Sequence, residues 1–276
     1  MKIATVGKGG SGKTTLAGTL ARILAEEGCK VLAIDGDPNP NLALTLGMTR
    51  EAADNIKNIP ANVVEMKEEA DGSRKLRMTL SHQDLLGQYA AAAPEGIELI
   101  LMGKPPEGSA GSGCMCASHR AVRGLIAEMS GYGEYTITDM EAGLEHLKRG
   151  TARNVDVMLV VTEPYFRSME AAARTFALAR ELDIPHLYAV ANKVKNADDK
   201  AAIDEFCQKH GMPVIGTIPE EQRFTEAERI GVAPIDFAPH SPGAEAIRTI
   251  AAKLRQLPTS AAAESRVGVE ATIPST

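Results

Sequence analysis

Short apolar runs alternate with amphipathic stretches along most of the chain. Strands are predicted at the short runs rich in apolar and β-branched residues, namely Lys2–Val6, Val31–Ile34, Ile97–Met102, Tyr135–Thr138, Val155–Val161, Leu187–Ala191 and Val214–Ile218. Helices are predicted where apolar residues recur with the helical period, most clearly at Thr14–Glu27, Ser168–Leu182, Asp198–His210 and Ala244–Leu257. This alternation implies right-handed crossovers between parallel strands. The pattern predicts an α/β fold of three layers, with a mainly parallel sheet flanked by helices.

Two parts of the chain depart from this alternation. Within residues 60–80, Val63–Met66 and Arg74–Thr79 flank Asp71-Gly72, which predicts a small hairpin inserted near the sheet edge. Residues 258–276 are rich in Ala, Ser, Thr and Glu and contain no aromatic residue, which predicts a disordered C-terminal tail. We therefore expect one domain over residues 1–257.

Composition narrows the classes of function. The chain has 36 acidic and 30 basic residues, a formal net charge of −6, and no dense Lys/Arg cluster, which argues against a nucleic acid partner. No apolar run approaches the roughly 18 residues of a membrane span, and the first residues enter a strand rather than a signal peptide. We expect a cytoplasmic protein without a membrane partner. In a reducing compartment its cysteines are ligands or core residues rather than disulfides.

The segment between the first strand and the first helix fits the phosphate-binding pattern G-x-x-x-x-G-K-[ST]. Its glycines let backbone N–H groups turn towards phosphate oxygens, and the helix N-terminus adds the positive end of its dipole. Lys13 is predicted to reach the outer phosphates and the Thr14 hydroxyl to ligate Mg²⁺. The predicted nucleotide-binding residues here are Gly7, Lys8, Gly9, Gly10, Ser11, Gly12, Lys13, Thr14 and Thr15.

Lys8 adds a second lysine to this loop, in the order Lys-Gly-Gly-x-x-Lys-Thr. This resembles the deviant Walker A motif of the MinD/ParA/nitrogenase-iron-protein class of P-loop NTPases. The resemblance implies that Lys8 reaches across a dimer to the partner's nucleotide. A cation supplied in this way stabilises charge on the transferring phosphoryl group, as arginine fingers do by roughly 10³–10⁵-fold in rate.

Acidic residues follow two of the predicted strands. Asp35 and Asp37 lie in a segment that resembles switch I of the same class, and Asp139 begins one that resembles its Walker B and switch II element, which includes Gly143. The resemblance implies that Asp37 orients the attacking water, Asp35 supports the Mg²⁺ shell and Asp139 holds Mg²⁺ through water. A strand-end Asp alone is often only a helix cap, whereas three such residues in one P-loop fold indicate a nucleotide site much more strongly.

Two later loops indicate which base is bound. Asn192-Lys193-Val194-Lys195 is similar to the guanine-reading Asn-Lys-x-Asp, but Lys195 occupies the acidic position. Guanine needs an acceptor there, and an ammonium group cannot accept a hydrogen bond. Asn192 can still bond adenine through its amide, so ATP is favoured over GTP. Pro219-Glu220 resembles the second adenine-side loop of the class.

Cys114 and Cys116 form a Cys-Met-Cys segment before a predicted helix at Arg120–Met129. Two cysteines are too few for a closed tetrahedral site, which takes four ligands. A two-fold axis doubles them, and soft sulfur ligands favour Ni²⁺, Zn²⁺, Cu(I) or iron–sulfur clusters. The alternative is two ordinary reduced cysteines near a helix start. Cys29 and Cys207 are interpreted as structural, and His119 as a surface residue.

Four segments together resemble the CooC-type nickel-insertion ATPases, which mature carbon monoxide dehydrogenase. They are Lys-Gly-Gly-x-Gly-Lys-Thr-Thr, Asp-Gly-Asp-Pro-Asn-Pro-Asn-Leu, Gly-Cys-Met-Cys and Asp-Met-Glu-Ala-Gly-Leu-Glu-His. The resemblance covers residues 1 to 257 and implies a homodimer that binds nickel or zinc between its Cys-x-Cys pairs. It also implies ATP-driven delivery to a metalloenzyme client. The tail after Pro258 is an addition relative to that family.

Two other hypotheses about the function stay open at this point. One is an iron–sulfur cluster carrier, although no cysteine occurs in Asp139–Gly143, where nitrogenase-type iron proteins carry one of their cluster ligands. The other is a ParA/MinD-like positioning ATPase, which would bind DNA or a membrane. The acidic balance and a tail with Arg266 as its one basic residue disfavour both kinds of attachment.

Overall fold

The computed structural model describes residues 1–68, 72, 74–102, 116–129, 132–144, 147 and 152–258. Within these residues eight strands form one sheet in the order β10-β9-β8-β1-β7-β2-β6-β5. Its strands are β1 Lys2–Gly7, β2 Val31–Gly36, β5 Ala91–Ala92, β6 Glu98–Leu101, β7 Tyr135–Met140, β8 Val157–Thr162, β9 His186–Val194 and β10 Val214–Pro219. Neighbouring strands are parallel except at the edge, where β5 is antiparallel to β6.

The described helices cover both faces of this sheet. They are α1 Lys13–Glu26, α2 Leu42–Thr45, α3 Arg50–Asp54, α4 His82–Tyr89, α5 Cys116–Glu128, α6 Phe166–Glu181, α7 Ala197–Lys209, α8 Gln222–Ile230, α9 Pro234–Phe237 and α10 Pro242–Arg255. Short 3₁₀ turns occur at Ala61–Val63 and Pro94–Gly96. Side chains cap the N-termini of several helices, for example Asn196 of α7 and Ser241 of α10.

Two apolar cores lie on opposite faces of the sheet. On one face α1, α2 and α10 contribute Leu20, Leu42 and Ile250 to a buried cluster. On the other face α4, α5, α6 and α7 pack together, with Leu125 and Phe176 among the buried side chains. Central strands such as β8 are buried along their whole length because both faces are covered. This arrangement confirms the predicted three-layer fold with a mainly parallel sheet.

The segment predicted as a hairpin forms a separate two-stranded ribbon. Its strands β3 Val64–Glu68 and β4 Arg74–Met78 pair antiparallel and are not part of the main sheet. The ribbon packs on α5, where a Cβ added to Gly124 would lie 2.3 Å from Val64 Cγ1. A glycine inside a helix costs about 1 kcal/mol relative to alanine, and here it permits this close approach.

Helix boundaries agree with the predicted ones to within a few residues, with one difference that matters. The helix predicted from Arg120 begins at Cys116, because the intervening Ala, Ser and His are compatible with helix. Cys114 and residues 259–276 of the predicted tail lie outside the described residues. Within the described part of the chain, no helix has both the length and the apolar character to cross a membrane.

Candidate functional site

The carboxyl ends of the central parallel strands bring the predicted site residues together. β7 lies between β1 and β2, so Asp139 pairs in register with Thr5 on one side and Asp35 on the other. The loop Gly7–Thr14, here called the P-loop, leaves the same edge and enters α1. Residues far apart in sequence therefore face one another across a single edge of the sheet.

Backbone geometry explains two of the P-loop glycines. At Gly7, φ is +152° and an added Cβ would lie 2.5 Å from Val161 O on the neighbouring strand. At Gly12, φ is +93° and the added Cβ would lie 2.3 Å from Asn192 Nδ2. α1 has no side-chain cap and no acidic residue in its first turn. Its N-terminal N–H groups are thus suited to receive an anion.

The two lysines of the loop lie in different surroundings. Lys13 is 7% exposed, and its Nζ lies 3.4 Å from the Lys8 carbonyl oxygen. Lys8 is exposed, as are Gly9 and Gly10. Lys13 therefore points into the site of its own chain, while the Lys8 side chain faces outwards.

Asp139 is held by two hydroxyl groups. Thr14 Oγ1 donates to Asp139 Oδ2 at 2.5 Å, and Thr5 Oγ1 donates to Oδ1 at 3.0 Å. Burial raises the pKa of Asp139 to about 6, against the lowering effects of these hydroxyls and of Lys13. Carboxylate and hydroxyl oxygens are ligands that Mg²⁺ prefers. The residues present therefore fit Mg²⁺.

Asp35 fixes the segment of residues 37–41, here called switch I. Its Oδ2 accepts hydrogen bonds from the backbone N–H groups of Asn41 and Leu42 at 3.0 and 2.9 Å, and its Oδ1 accepts from Asp37 N at 3.1 Å. Burial, and then the nearby Asp139 carboxylate, raise the pKa of Asp35 to about 7. Asp37 itself is half-buried, with Oδ1 accepting from Asn39 N at 2.8 Å. The Asp35 side chain thus anchors the segment that carries Asp37.

A cavity of about 520 Å³ opens beside the P-loop. Most predicted nucleotide-binding residues line it, namely Gly10, Gly12, Lys13, Thr14, Thr15, Asn192, Lys193, Pro219 and Glu220. The sequence did not indicate Asn41, Phe224, Val232 or Pro234, which also line it. Such a volume is in the range of small-molecule sites.

Asn192 and Lys193 connect the P-loop to the far side of this cavity. Asn192 Nδ2 donates to Ser11 O at 2.7 Å, and its Oδ1 accepts from Lys193 N at 2.9 Å. Lys193 Nζ donates to Gly10 O at 2.5 Å and to Glu163 Oε1 at 2.9 Å. Glu163 directly follows β8. Sequence reasoning could have found it as an acidic residue at the end of a predicted strand. An amide has two donors and two acceptor positions, so Asn192 retains one of each for a ligand.

Lys195 lies outside the lining of the cavity. Its Nζ is 3.4 Å from Glu220 Oε1, and its backbone N–H donates to Asp199 Oδ2. The Glu220 carboxylate is the main cause of the raised pKa of Lys195. A cation therefore occupies this position next to the Pro219-Glu220 loop.

Three of the four cysteines lie within the described residues. Cys116 is the first residue of α5, and Cys114 lies outside the described residues. Cys29 is half-buried and Cys207 is buried, and both are free thiols. Over the described ranges, no group of three or more His, Cys, Asp or Glu side chains could hold a metal ion.

Comparison with known proteins defines the class. The family described as the CobQ/CobB/MinD/ParA nucleotide binding domain matches residues 2–235. The solved structure of the septum site-determining protein MinD with Mg-ADP from Pyrococcus horikoshii OT3 has the same fold. Its TM-score is 0.70 at 21% sequence identity, over 99% of both chains. Fold and P-loop together are those of a P-loop ATPase.

Two curated relatives are more similar in sequence. The carbon monoxide dehydrogenase accessory protein CooC of Rhodospirillum rubrum is 36% identical over 247 residues, 87% of this chain and 91% of the relative. An uncharacterised ATP-binding protein of Methanocaldococcus jannaschii is 36% identical over 241 residues, 84% of this chain and 90% of the relative. The chain belongs to the CobQ/CobB/MinD/ParA family and, within it, to the group that contains CooC. It is an ATPase, and ATP with Mg²⁺ fits this family.

Proposed function

We propose that this ATPase carries a nickel or zinc ion as its cargo and delivers it to a metalloenzyme client such as carbon monoxide dehydrogenase. The observation that carries the proposal is the sequence Cys114-Met115-Cys116, of which Cys116 begins α5, in a chain that is 36% identical to CooC over 91% of that relative. Thiolates select soft transition metals over Mg²⁺. The cargo site would therefore be chemically distinct from the nucleotide site.

A homodimer completes this cargo site. One chain offers Cys114 and Cys116, whereas a closed tetrahedral site takes four ligands. A two-fold axis would supply four thiolates from two chains. The exposed position of Lys8 supports the same dimer, because an outward side chain beside the P-loop can reach a partner's nucleotide.

The residues of the site suggest how ATP is hydrolysed. Lys13 would bind the outer phosphates within its own chain, and Thr14 with Asp139 would hold Mg²⁺, with Asp35 supporting its shell. Mg²⁺, when bound, neutralises charge on the phosphate oxygens. Asp37 would orient the attacking water from switch I. The partner's Lys8 would stabilise the charge that develops on the transferring phosphoryl group.

Cargo and nucleotide would be coupled through the dimer. ATP closes the two chains and sets the spacing of the thiolates, and hydrolysis relaxes switch I and the Asp139–Gly143 segment so that the ion is released. Linkage makes this coupling reciprocal. If ATP changes metal affinity about tenfold, the metal must change ATP affinity about tenfold, which corresponds to about 1.4 kcal/mol.

Metal analysis of the purified protein with and without an ATP analogue tests the cargo site. We expect one ion for two chains, since a closed site takes about four thiolates, and loss of the ion in the Cys114→Ser/Cys116→Ser protein. Cys29→Ser is the matched control and should keep its metal. Full metal content in the double variant would reject the site. A brown protein with visible absorption would indicate an iron–sulfur cluster instead.

Lys8→Ala tests the dimer separately. This variant should bind ATP with little change but hydrolyse it roughly 10³-fold more slowly, because the cation supplied in trans is missing. Sedimentation should also show weaker dimerisation with the ATP analogue. Lys67→Ala removes another exposed lysine, on β3, and should behave as wild type. Unchanged hydrolysis in Lys8→Ala would contradict the role of Lys8.

A further inference from the structure

Arg22 is a charged residue buried on the core side of α1. It is 4% exposed and lies in a helix whose neighbouring side chains Leu20, Ile23 and Leu24 are fully buried. Burying a guanidinium group costs solvation free energy, and an apolar residue of similar size would serve a core equally well or better. Simple packing therefore does not explain an arginine at this position.

The guanidinium group joins three separate elements. Its Nη1 donates to the Leu46 carbonyl oxygen at 2.8 Å, at the C-terminal end of α2. Nη1 and Nη2 donate to the two carboxylate oxygens of Asp236 on α9 at 3.1 and 2.7 Å. This two-bond geometry with a carboxylate is specific to arginine and fixes direction as well as distance. Arg22 thus links α1, α2 and α9.

The same three elements form walls of the nucleotide cavity. The lining residues are Lys13 to Leu16 from α1, Leu44 and Thr45 from α2, and Pro234 from α9. Arg22, Leu46 and Asp236 do not line the cavity. The Arg22–Asp236 ion pair therefore connects these three elements at positions that do not line the nucleotide cavity.

α2 directly follows switch I in the chain. Its first residue, Leu42, is bonded to the Asp35 carboxylate at one end, and its last turn is bonded to Arg22 at the other. The packing between α1 and α2 is tight, since a Cβ on Gly18 would lie 2.5 Å from Thr45 Cγ2. A Cβ on Gly47 would lie 2.8 Å from Arg22 Nη1 and 2.9 Å from Asp236 Oδ2. The segment 42–47 is therefore packed closely against Arg22 and Asp236.

We propose that Arg22 is a positioning residue for ATP hydrolysis, which couples the cavity wall on α9 to switch I through α2. Contact of the nucleotide with the Pro234 side of the cavity restrains Asp236. The two-bond ion pair passes this restraint to Leu46, and α2 then holds the switch I segment that carries Asp37. The coupling belongs to the ATPase reaction and is independent of any metal cargo.

Steady-state ATPase measurements on Arg22→Met and Asp236→Asn test the coupling. In both variants we expect a higher KM together with a lower kcat, and a fall in kcat/KM of about 2- to 30-fold, as for residues that couple two sites without touching either ligand. Arg22→Lys keeps the charge but loses the two-bond geometry, so it should recover part of the loss. Asp236→Asn carries the test if Arg22→Met does not fold, because the Asp236 side chain is 42% exposed.

Arg248→Met is the matched control. Arg248 on α10 pairs with Glu26 on α1 at 3.3 Å, so it also ties a helix to α1, but neither residue lines the cavity. Its kcat and KM should stay within about twofold of wild type, as for most surface substitutions. A comparable kinetic change in Arg248→Met would overturn the proposal. Wild-type kinetics in folded Arg22→Met and Asp236→Asn would also overturn it. A higher KM with unchanged kcat would overturn it as well, because it would show that Arg22 does not act on switch I.

Hydrogen exchange gives a readout that a merely structural role would not produce. In the wild-type protein, Mg-ADP should slow exchange both around α9, in residues 231–238, and around switch I and α2, in residues 37–47. In Asp236→Asn the protection around α9 should remain while that of residues 37–47 is lost. Equal protection of both segments in the variant would refute the coupling.

Discussion

The two ends of the cavity, which we propose bind the phosphates and the base and here call the phosphate side and the base side, are built in different ways. The phosphate side is lined by residues of one short stretch, between Gly10 and Leu16, at a single strand–helix junction. The base side is assembled from the ends of β9 and β10 and from α8 and α9, which meet only in the folded chain. The phosphate side is polar and depends on glycine backbone geometry, whereas Pro219, Phe224 and Val232 give the base side an apolar surface. We therefore expect charge to dominate nucleotide affinity on the phosphate side and apolar contact to dominate on the base side.

The largest expected effect on ATP affinity comes from removing the buried cation on the phosphate side. Lys13→Ala should raise the Kd for ATP at least about 100-fold, which corresponds to about 2.8 kcal/mol, because charge-assisted contacts to phosphate are lost. Calorimetric titration with Mg-ATP measures this. Lys253→Ala is the control, since Lys253 Nζ donates to Ile215 O away from the cavity and its loss should leave Kd unchanged. Retained affinity in Lys13→Ala would contradict the assignment of the phosphate side.

An intermediate effect is expected where the two sides meet. Asn192→Ala removes the amide that bonds Ser11 O, so the P-loop loses a contact to β9 and the nucleotide loses a polar partner. We expect Kd for ATP to rise about tenfold, close to the 1–2 kcal/mol range of a lost buried hydrogen bond. Asn55→Ala, which removes an exposed amide bonded to Glu51 O, should have no effect. If Asn192→Ala were as severe as Lys13→Ala, the division into two sides would be wrong.

The smallest effect is a pH dependence that belongs to the phosphate side. The pKa values of Asp139 and Asp35 are raised to about 6 and about 7, from an ordinary value of 3.8. Between the ordinary and the raised values the folded state retains protons that the unfolded state has released, so stability falls as pH rises through this window. Without nucleotide, these two groups should therefore lower the melting temperature as pH rises from about 4 to about 7, and add no further slope above that.

Asp139→Asn and added Mg-ADP separate this contribution from other titrations. Asn cannot ionise, so the downward slope should become shallower in the variant. A cation beside the carboxylates favours their ionised form, so Mg-ADP should flatten the slope in the wild-type protein. An identical slope in all three samples would show that these carboxylates do not titrate as described.

The same contrast explains how much of the molecule was predictable. The sheet, its main helices and the phosphate side follow from apolar periodicity and one contiguous motif. α2 and α9 span four residues each, too short for a helical period to be recognised. Arg22 and Asp236 are 214 residues apart, so their ion pair depends on the tertiary fold. Phe224 and Pro234 are likewise brought to the cavity by packing. The Cys-Met-Cys function stays a prediction that metal analysis must test.

The close approach at Gly18 has a consequence for engineering. Replacing a helical glycine by alanine is a common route to higher thermal stability, worth about 0.4–1 kcal/mol where the conformation permits it. At Gly18 the new methyl group would clash with Thr45 and displace α2, the helix that follows switch I. Gly87 in α4 has no heavy atom within 4 Å of an added Cβ. Stabilising mutations should therefore be placed at Gly87, where the extra methyl group leaves nucleotide turnover unaffected.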